Sequence, residues 1–204
     1  MLTYSDFPPN KKAFIFELDN VLFPEKDYLL QVYYLFANFL EYAETFPPAA
    51  DVIQFMKTAY ESRGSAGIFE KVQHAFGINA AYSANFIRLH KTAKLPLKLL
   101  LFKNMLKLMQ EMVIDRKQIF IVTNGDPAVQ LNKITHVEWK GLEKYLTLYF
   151  ADEIKPKPET DVFTYILEKH LLDRKDFVVF GNSSIDEEFA ANSGVDYVNV
   201  GEIN

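Results

Sequence analysis

Hydrophobic positions along the chain fall into two kinds of run. Short continuous runs rich in Val, Ile, Phe and Tyr read as buried strands, and there are five: "FIFELDNVLF" (14–23), "QIFIVT" (118–123), "LTLYFA" (146–151), "DFVVFG" (176–181) and "DYVNVG" (196–201). The first starts apolar and runs directly into two carboxylates and a turn. Longer stretches carry helical spacing. Residues 97–112 place Leu99, Leu100, Phe102, Leu106 and Met109 on one broad face, and 160–172 do so through Val162, Phe163, Ile166 and Leu167, with Thr160 and Asp161 as start signals. Strands alternating with helices predict an α/β protein with a doubly wound parallel five-stranded sheet.

The interval 24–95 breaks this rhythm, offering helical patterning and no convincing strand. Residues 28–44 carry Leu29, Leu30, Tyr33, Phe36, Ala37 and Leu40 on one face and stop before Pro47 and Pro48; 50–62 repeat the pattern through Ile53, Met56 and Tyr60. After the turn "RGSAG" (63–67), amphipathic pieces follow at 68–76 and 80–92. The expected organisation is a core built from 1–23 and 96–204 with a helical insertion at 24–95.

Composition narrows the classes. With 204 residues and 49% hydrophobic content the chain suits one domain carrying an insertion. A net charge of -5, with no basic stripe, argues against a nucleic-acid partner. The absence of cysteine excludes thiolate chemistry, and no apolar run approaches the roughly 20 residues a membrane helix needs. The N-terminal "MLTYSDFPPNKK" lacks the apolar region of a secretory signal, so a soluble cytoplasmic protein is expected. Eighteen phenylalanines and 11 tyrosines are read as core packing.

Open parallel sheets bind ligands beyond the carboxyl ends of their strands. The residues there are Glu17 to Asp19, Thr123-Asn124-Gly125-Asp126, Asp152 to Lys155, and Asn182 to Asp186. Carboxylates with oxygen ligands suit a hard cation such as magnesium, and a hydroxyl, turn amides and a lysine suit a phosphoryl group. A carboxylate beside phosphorus can attack it, and a second can move the leaving group's proton. The four histidines, His74, His90, His136 and His170, show no metal-ligand spacing, and Trp139 is expected to pack the end of the helix after "IFIVTNGD".

With those residues in view, the chain resembles the haloacid dehalogenase (HAD) superfamily. The resemblance is carried by Glu17-Leu18-Asp19-Asn20-Val21, by "IFIVTNGD" at Thr123, by "KPKPETDVF" at Lys155, and by "FGNSSIDEEFAANSG" from Gly181 through Asp186. The insertion stands where that family's helical C1 cap belongs. The resemblance implies a HAD-like fold and magnesium-dependent hydrolysis of a phosphorylated small molecule. It makes position 17 the nucleophile and a metal ligand, and Asp19 the general acid and base with its carbonyl on the metal. It also implies that Thr123 and the Asn124 amide hold phosphoryl oxygens, that Lys155 balances charge, and that Asn182 and Asp186 serve the metal.

Two positions depart from the pattern: Glu17 replaces an aspartate nucleophile, and Asn182 replaces a metal-binding aspartate. The added methylene moves the carboxylate by about 1 Å, a displacement that can cost on the order of 100-fold in rate. Three readings follow: a phosphohydrolase with impaired or altered activity, an inactive HAD-fold module that binds a phosphorylated molecule or a protein, and a metal-independent dehalogenase. The last is opposed by the same missing aspartate. The sequence leaves open whether the chain turns over, its substrate and its oligomeric state.

Overall fold

A computed structural model describes residues 4–202. The chain divides into two compact units. One comprises the residues up to Pro24, Leu100–Gln130 and those from Val137 on; the other comprises Glu25–Leu99 with Leu131–His136.

The first unit is built on five parallel strands, β1 (Ala13–Phe16), β2 (Gln118–Thr123), β3 (Leu146–Phe150), β4 (Phe177–Gly181) and β5 (Asp196–Asn199), in the order β3-β2-β1-β4-β5. The winding direction switches beside β1, whose Phe16 pairs with Ile121 on one side and Phe180 on the other. All four residues of β1 and all five of β4 are buried, as expected for central strands covered on both faces. Phe16 and Phe180 stack with ring centroids 4.4 Å apart, and Phe163 meets Phe177 edge-on at 5.0 Å. The abundant phenylalanine here is core, as its composition suggests.

Helices join the strands. Those that follow the insertion in the chain are α5 (Lys103–Ile114), α6 (Pro127–His136), α7 (Asp161–His170) and α8 (Ser184–Ser193). The predicted helix at 97–112 starts later, at Lys103: the segment from Pro96 to Phe102 is irregular, and the Leu99 N–H bonds the His136 carbonyl instead of a helical partner. The opening strand closes where its apolar run meets the first carboxylate, Glu17, as the sequence pattern implies. It ends at Phe16, and Leu18 to Phe23 fold into a turn with bonds from Leu22 N–H to Leu18 O and from Asn20 N–H to Phe23 O.

The second unit is helical, with α1 (Glu25–Glu44), α2 (Ala49–Arg63), α3 (Ile68–Phe76) and α4 (Ser83–Thr92). Tyr28, Val32, Phe36 and Leu40, four apart along α1, and Tyr33 beside them are fully buried with Val52 and Met56 of α2 and Val72 of α3. Phe86 of α4 meets the Phe36 ring at 4.9 Å. Among the described residues no helix is long and apolar enough to cross a membrane.

Candidate active site

Residues following β1, β2 and β4 converge because these three strands are neighbours in the sheet. Glu17 is fixed first by its backbone, whose N–H donates to Phe180 O of β4 at 3.0 Å. Its side chain then turns back into the site. Oε1 accepts the Leu18 N–H at 2.6 Å and the Thr123 hydroxyl, and Oε2 accepts from the Lys157 ammonium. Lys157 donates also to Asp186 Oδ1 at 2.5 Å. The side chains of Lys157 and Asp186 are each 3% exposed and that of Glu17 is 12% exposed, so this is a buried triad of two carboxylates around one ammonium.

The remaining oxygen of Asp186 is engaged as well. Oδ2 accepts the Ser183 hydroxyl at 2.6 Å and the Asn182 N–H at 3.3 Å. The close approach of Asp186 to the end of β4 explains Gly181, since a Cβ there would lie 2.7 Å from Asp186 Cγ and 2.8 Å from Oδ2. Ser183 caps α8 by accepting the Asp186 N–H, so the helix start and the carboxylate are set by one turn.

Lys157 is held by its backbone as much as by its charge. The Asn124 side chain accepts the Lys157 N–H and donates to the Lys157 carbonyl, both at 2.9 Å. This two-way clamp ties the loop after β3 to the end of β2. Gly125 contributes a turn with φ of 108°, and its N–H donates to Asp152 Oδ2 at 2.7 Å.

The sequence placed the charge-balancing lysine at 155. In the structure Lys155 is exposed and paired with Asp161 at 2.8 Å at the start of α7, and it is Lys157 that enters the cluster. "KPKP" offers two lysine-proline steps, and the pattern alone does not choose between them. What chooses is the Asn124 clamp, a contact 33 residues away. Of the other expected site residues, Glu17, Asp19, Thr123 and Asp186 come together. Asn124 reaches the site by holding Lys157, and Asn182 is exposed and contributes its backbone N–H. Gln130 was missed by the sequence reading. It is buried, and its amide nitrogen donates to Asn124 O at 2.7 Å, Thr123 Oγ at 2.8 Å and Asp19 Oδ2 at 3.2 Å. Its only signal in the sequence is its place in the first turn after a strand-end motif.

Electrostatics follow from two carboxyls and one ammonium in a small buried volume. Burial raises the Glu17 pKa, and Asp186 adds to the rise, while Lys157 and the Thr123 hydroxyl oppose it. Burial works against the charge of Lys157, but the Glu17 and Asp186 carboxylates outweigh it and raise its pKa. The lysine stays charged, and burial draws Glu17 toward its protonated form.

A magnesium ion is implied by the resemblance, and the residues as arranged do not fit one. Glu17 and Asp186 share an ammonium, and their other oxygens accept N–H and O–H donors. Asn182 brings no charge, and among the described residues no group of three His, Cys, Asp or Glu is gathered that could hold a metal ion.

Comparisons with known proteins agree with this architecture. A hydrolase from Streptococcus pneumoniae is 18% identical with a TM-score of 0.54, over 95% of this chain and 96% of that one. A HAD-superfamily hydrolase of subfamily IA from Geobacter sulfurreducens is 16% identical with a TM-score of 0.54, over 93% and 87%. L-2-haloacid dehalogenase from Xanthobacter autotrophicus is 14% identical with a TM-score of 0.53, over 92% and 76%. No curated protein sequence matches the chain significantly. These likenesses show the fold, while residues 14–200 match the sequence family described as haloacid dehalogenase-like hydrolase. A match over nearly the whole chain, on a five-stranded parallel sheet with its acids, threonine and lysine at the strand ends, places this protein in the haloacid dehalogenase-like hydrolase family.

Proposed function

We propose that the chain is a phosphate-monoester hydrolase in which Glu17 closes the site, leaving activity impaired. The observation that carries this reading is the Glu17 carboxylate bonded at once to the Thr123 hydroxyl, the Leu18 N–H and the Lys157 ammonium. A hydroxyl, an amide and an ammonium are the donors a phosphoryl group would require. In this chain they hold the chain's own carboxylate. In the hydrolysis the family resemblance implies, a carboxylate oxygen forms a bond to phosphorus as the ester P–O bond breaks, and Asp19 protonates the leaving oxygen. Glu17 meets that requirement badly. Its oxygens are engaged by donors that stabilise the resting anion, and its extra methylene carries it into the space the phosphoryl oxygens need. An aspartate at 17 would withdraw the carboxylate by about 1 Å and release the threonine. The ligand class that fits is a phosphorylated small molecule, and the net charge of -5 supports neither a nucleic-acid nor a broad anionic partner.

The test is hydrolysis of an aryl phosphate with magnesium by the native protein, Glu17→Asp, and Glu17→Asp with Asn182→Asp. Native turnover near background, rising by about tenfold or more in Glu17→Asp and further in the double variant, is the expected pattern. Robust native turnover that vanishes in Glu17→Ala would overturn it.

A further inference from the structure

We propose that Gln130 is a positioning residue that aims the Thr123 hydroxyl proton at Glu17 and thereby holds the site closed; this rests on the closed-site reading above. The side chain rises from the start of α6, where Asp126 Oδ1 accepts the Ala128 N–H at 2.9 Å and the Gln130 N–H bonds Asp126 O. Its amide nitrogen faces three acceptors, Asn124 O, Thr123 Oγ and Asp19 Oδ2. Its amide oxygen is buried and has no hydrogen-bond partner among the described residues.

Those two facts fix the amide's orientation. Rotating it by 180° would set an oxygen against the Asn124 carbonyl and the Asp19 carboxylate, neither of which has a hydrogen to give, so the nitrogen faces the site and the Thr123 Oγ receives one of its hydrogens. Thr123 has one hydroxyl proton. Because its Oγ accepts from Gln130, that proton is directed to Glu17 Oε1, the shorter contact, rather than to Asn124 O at 3.4 Å. A buried amide oxygen without a partner destabilises the fold. An apolar side chain of equal size would avoid that loss, so the glutamine is explained by what its nitrogen does. It links the end of β2 to the turn after β1, setting Thr123 and Asp19 relative to one another.

The experiment is proton NMR of the Thr123 hydroxyl in threonine-labelled protein, assigned by its absence in Thr123→Val. The native protein is expected to show a slowly exchanging, downfield hydroxyl proton that is lost in Glu17→Ala. Gln130→Met keeps the volume and removes the donor, and should speed exchange about tenfold or more while the remaining amide spectrum is retained. Gln130→Glu turns the donor into an acceptor and should redirect the same proton away from Glu17. A resonance unchanged in a folded Gln130→Met or Gln130→Glu protein overturns the role of Gln130 and leaves the closed site standing. Absence of a protected hydroxyl in the native protein overturns both.

Discussion

Replacing Lys157 by methionine removes one ammonium and keeps most of the side-chain volume, so it isolates the charge of the triad. Lys157 and Asp186 are almost entirely buried and Glu17 nearly so, and each carboxylate takes a charged hydrogen bond from this lysine. Breaking a buried pair by removing one partner costs about 3–5 kcal/mol, because the surviving charges stay desolvated. Two carboxylates are left here, which places the expected loss toward the upper end of that range at pH 7. Part of it is recovered on acidification. Glu17 has a raised pKa in the folded protein, and losing the lysine raises it further. A raised carboxyl stabilises the fold below its unfolded pKa, near 4.5, and that contribution disappears as pH rises through the folded value. The gap between native and Lys157→Met should therefore be widest at neutral pH and narrow toward pH 4.5. Urea titration followed by fluorescence gives the number, since the single tryptophan, Trp139, is buried in the same unit as the triad. A loss under about 1 kcal/mol at pH 7, or one indifferent to pH, would refute the buried-triad argument.

Lys155→Met should behave as an ordinary surface change, shifting stability by less than about 0.5 kcal/mol in the same titration and leaving aryl phosphate turnover untouched, because Lys155 only pairs with the exposed Asp161. Gly181→Ala should cost about 1–3 kcal/mol or more and displace Asp186, since the new methyl has no space beside that side chain; a variant with native stability would contradict the packing. In the helical unit, burial first and Lys133 second lower the His90 pKa to about 4. A depressed histidine stabilises the fold above its unfolded pKa near 6.5 and ceases to as pH falls through the folded value, so His90→Phe should flatten the loss of thermal stability between pH 6.5 and 4 measured by circular dichroism.

Much of this architecture is legible in the sequence, and the parts that are not have physical reasons. Apolar runs locate the central strands because both faces of the sheet are covered there, as the complete burial of Ala13 to Phe16 illustrates, and the edge strands β3 and β5 are found by their Val, Leu, Phe and Tyr although they are only partly buried. Burial does not stop with the strand: beyond Glu17, the apolar side chains of Leu18, Val21, Leu22 and Phe23 are buried in the turn that follows. Helix 97–112 was read too long for a related reason, since Leu99 and Leu101 are buried without being helical. At the site, residues adjacent to strand ends could be named, because strand order decides their proximity. Residues brought in by loop geometry could not. Lys157 depends on a distant asparagine clamp, and Gln130 on the pitch of a helix that begins at Pro127. Neither leaves a mark in local hydrophobicity.

The central claim is that Glu17 fills an oxyanion cradle with its own carboxylate, and binding of inorganic phosphate measured by isothermal titration calorimetry tests it without requiring turnover. Removing the carboxylate in Glu17→Ala vacates the Thr123 hydroxyl, the Leu18 N–H and the Lys157 ammonium together. Binding to the native protein should be weak or undetectable, and binding to Glu17→Ala tighter by about tenfold or more, a gain of roughly 1.4 kcal/mol. Native protein that binds phosphate as tightly as Glu17→Ala would contradict the claim.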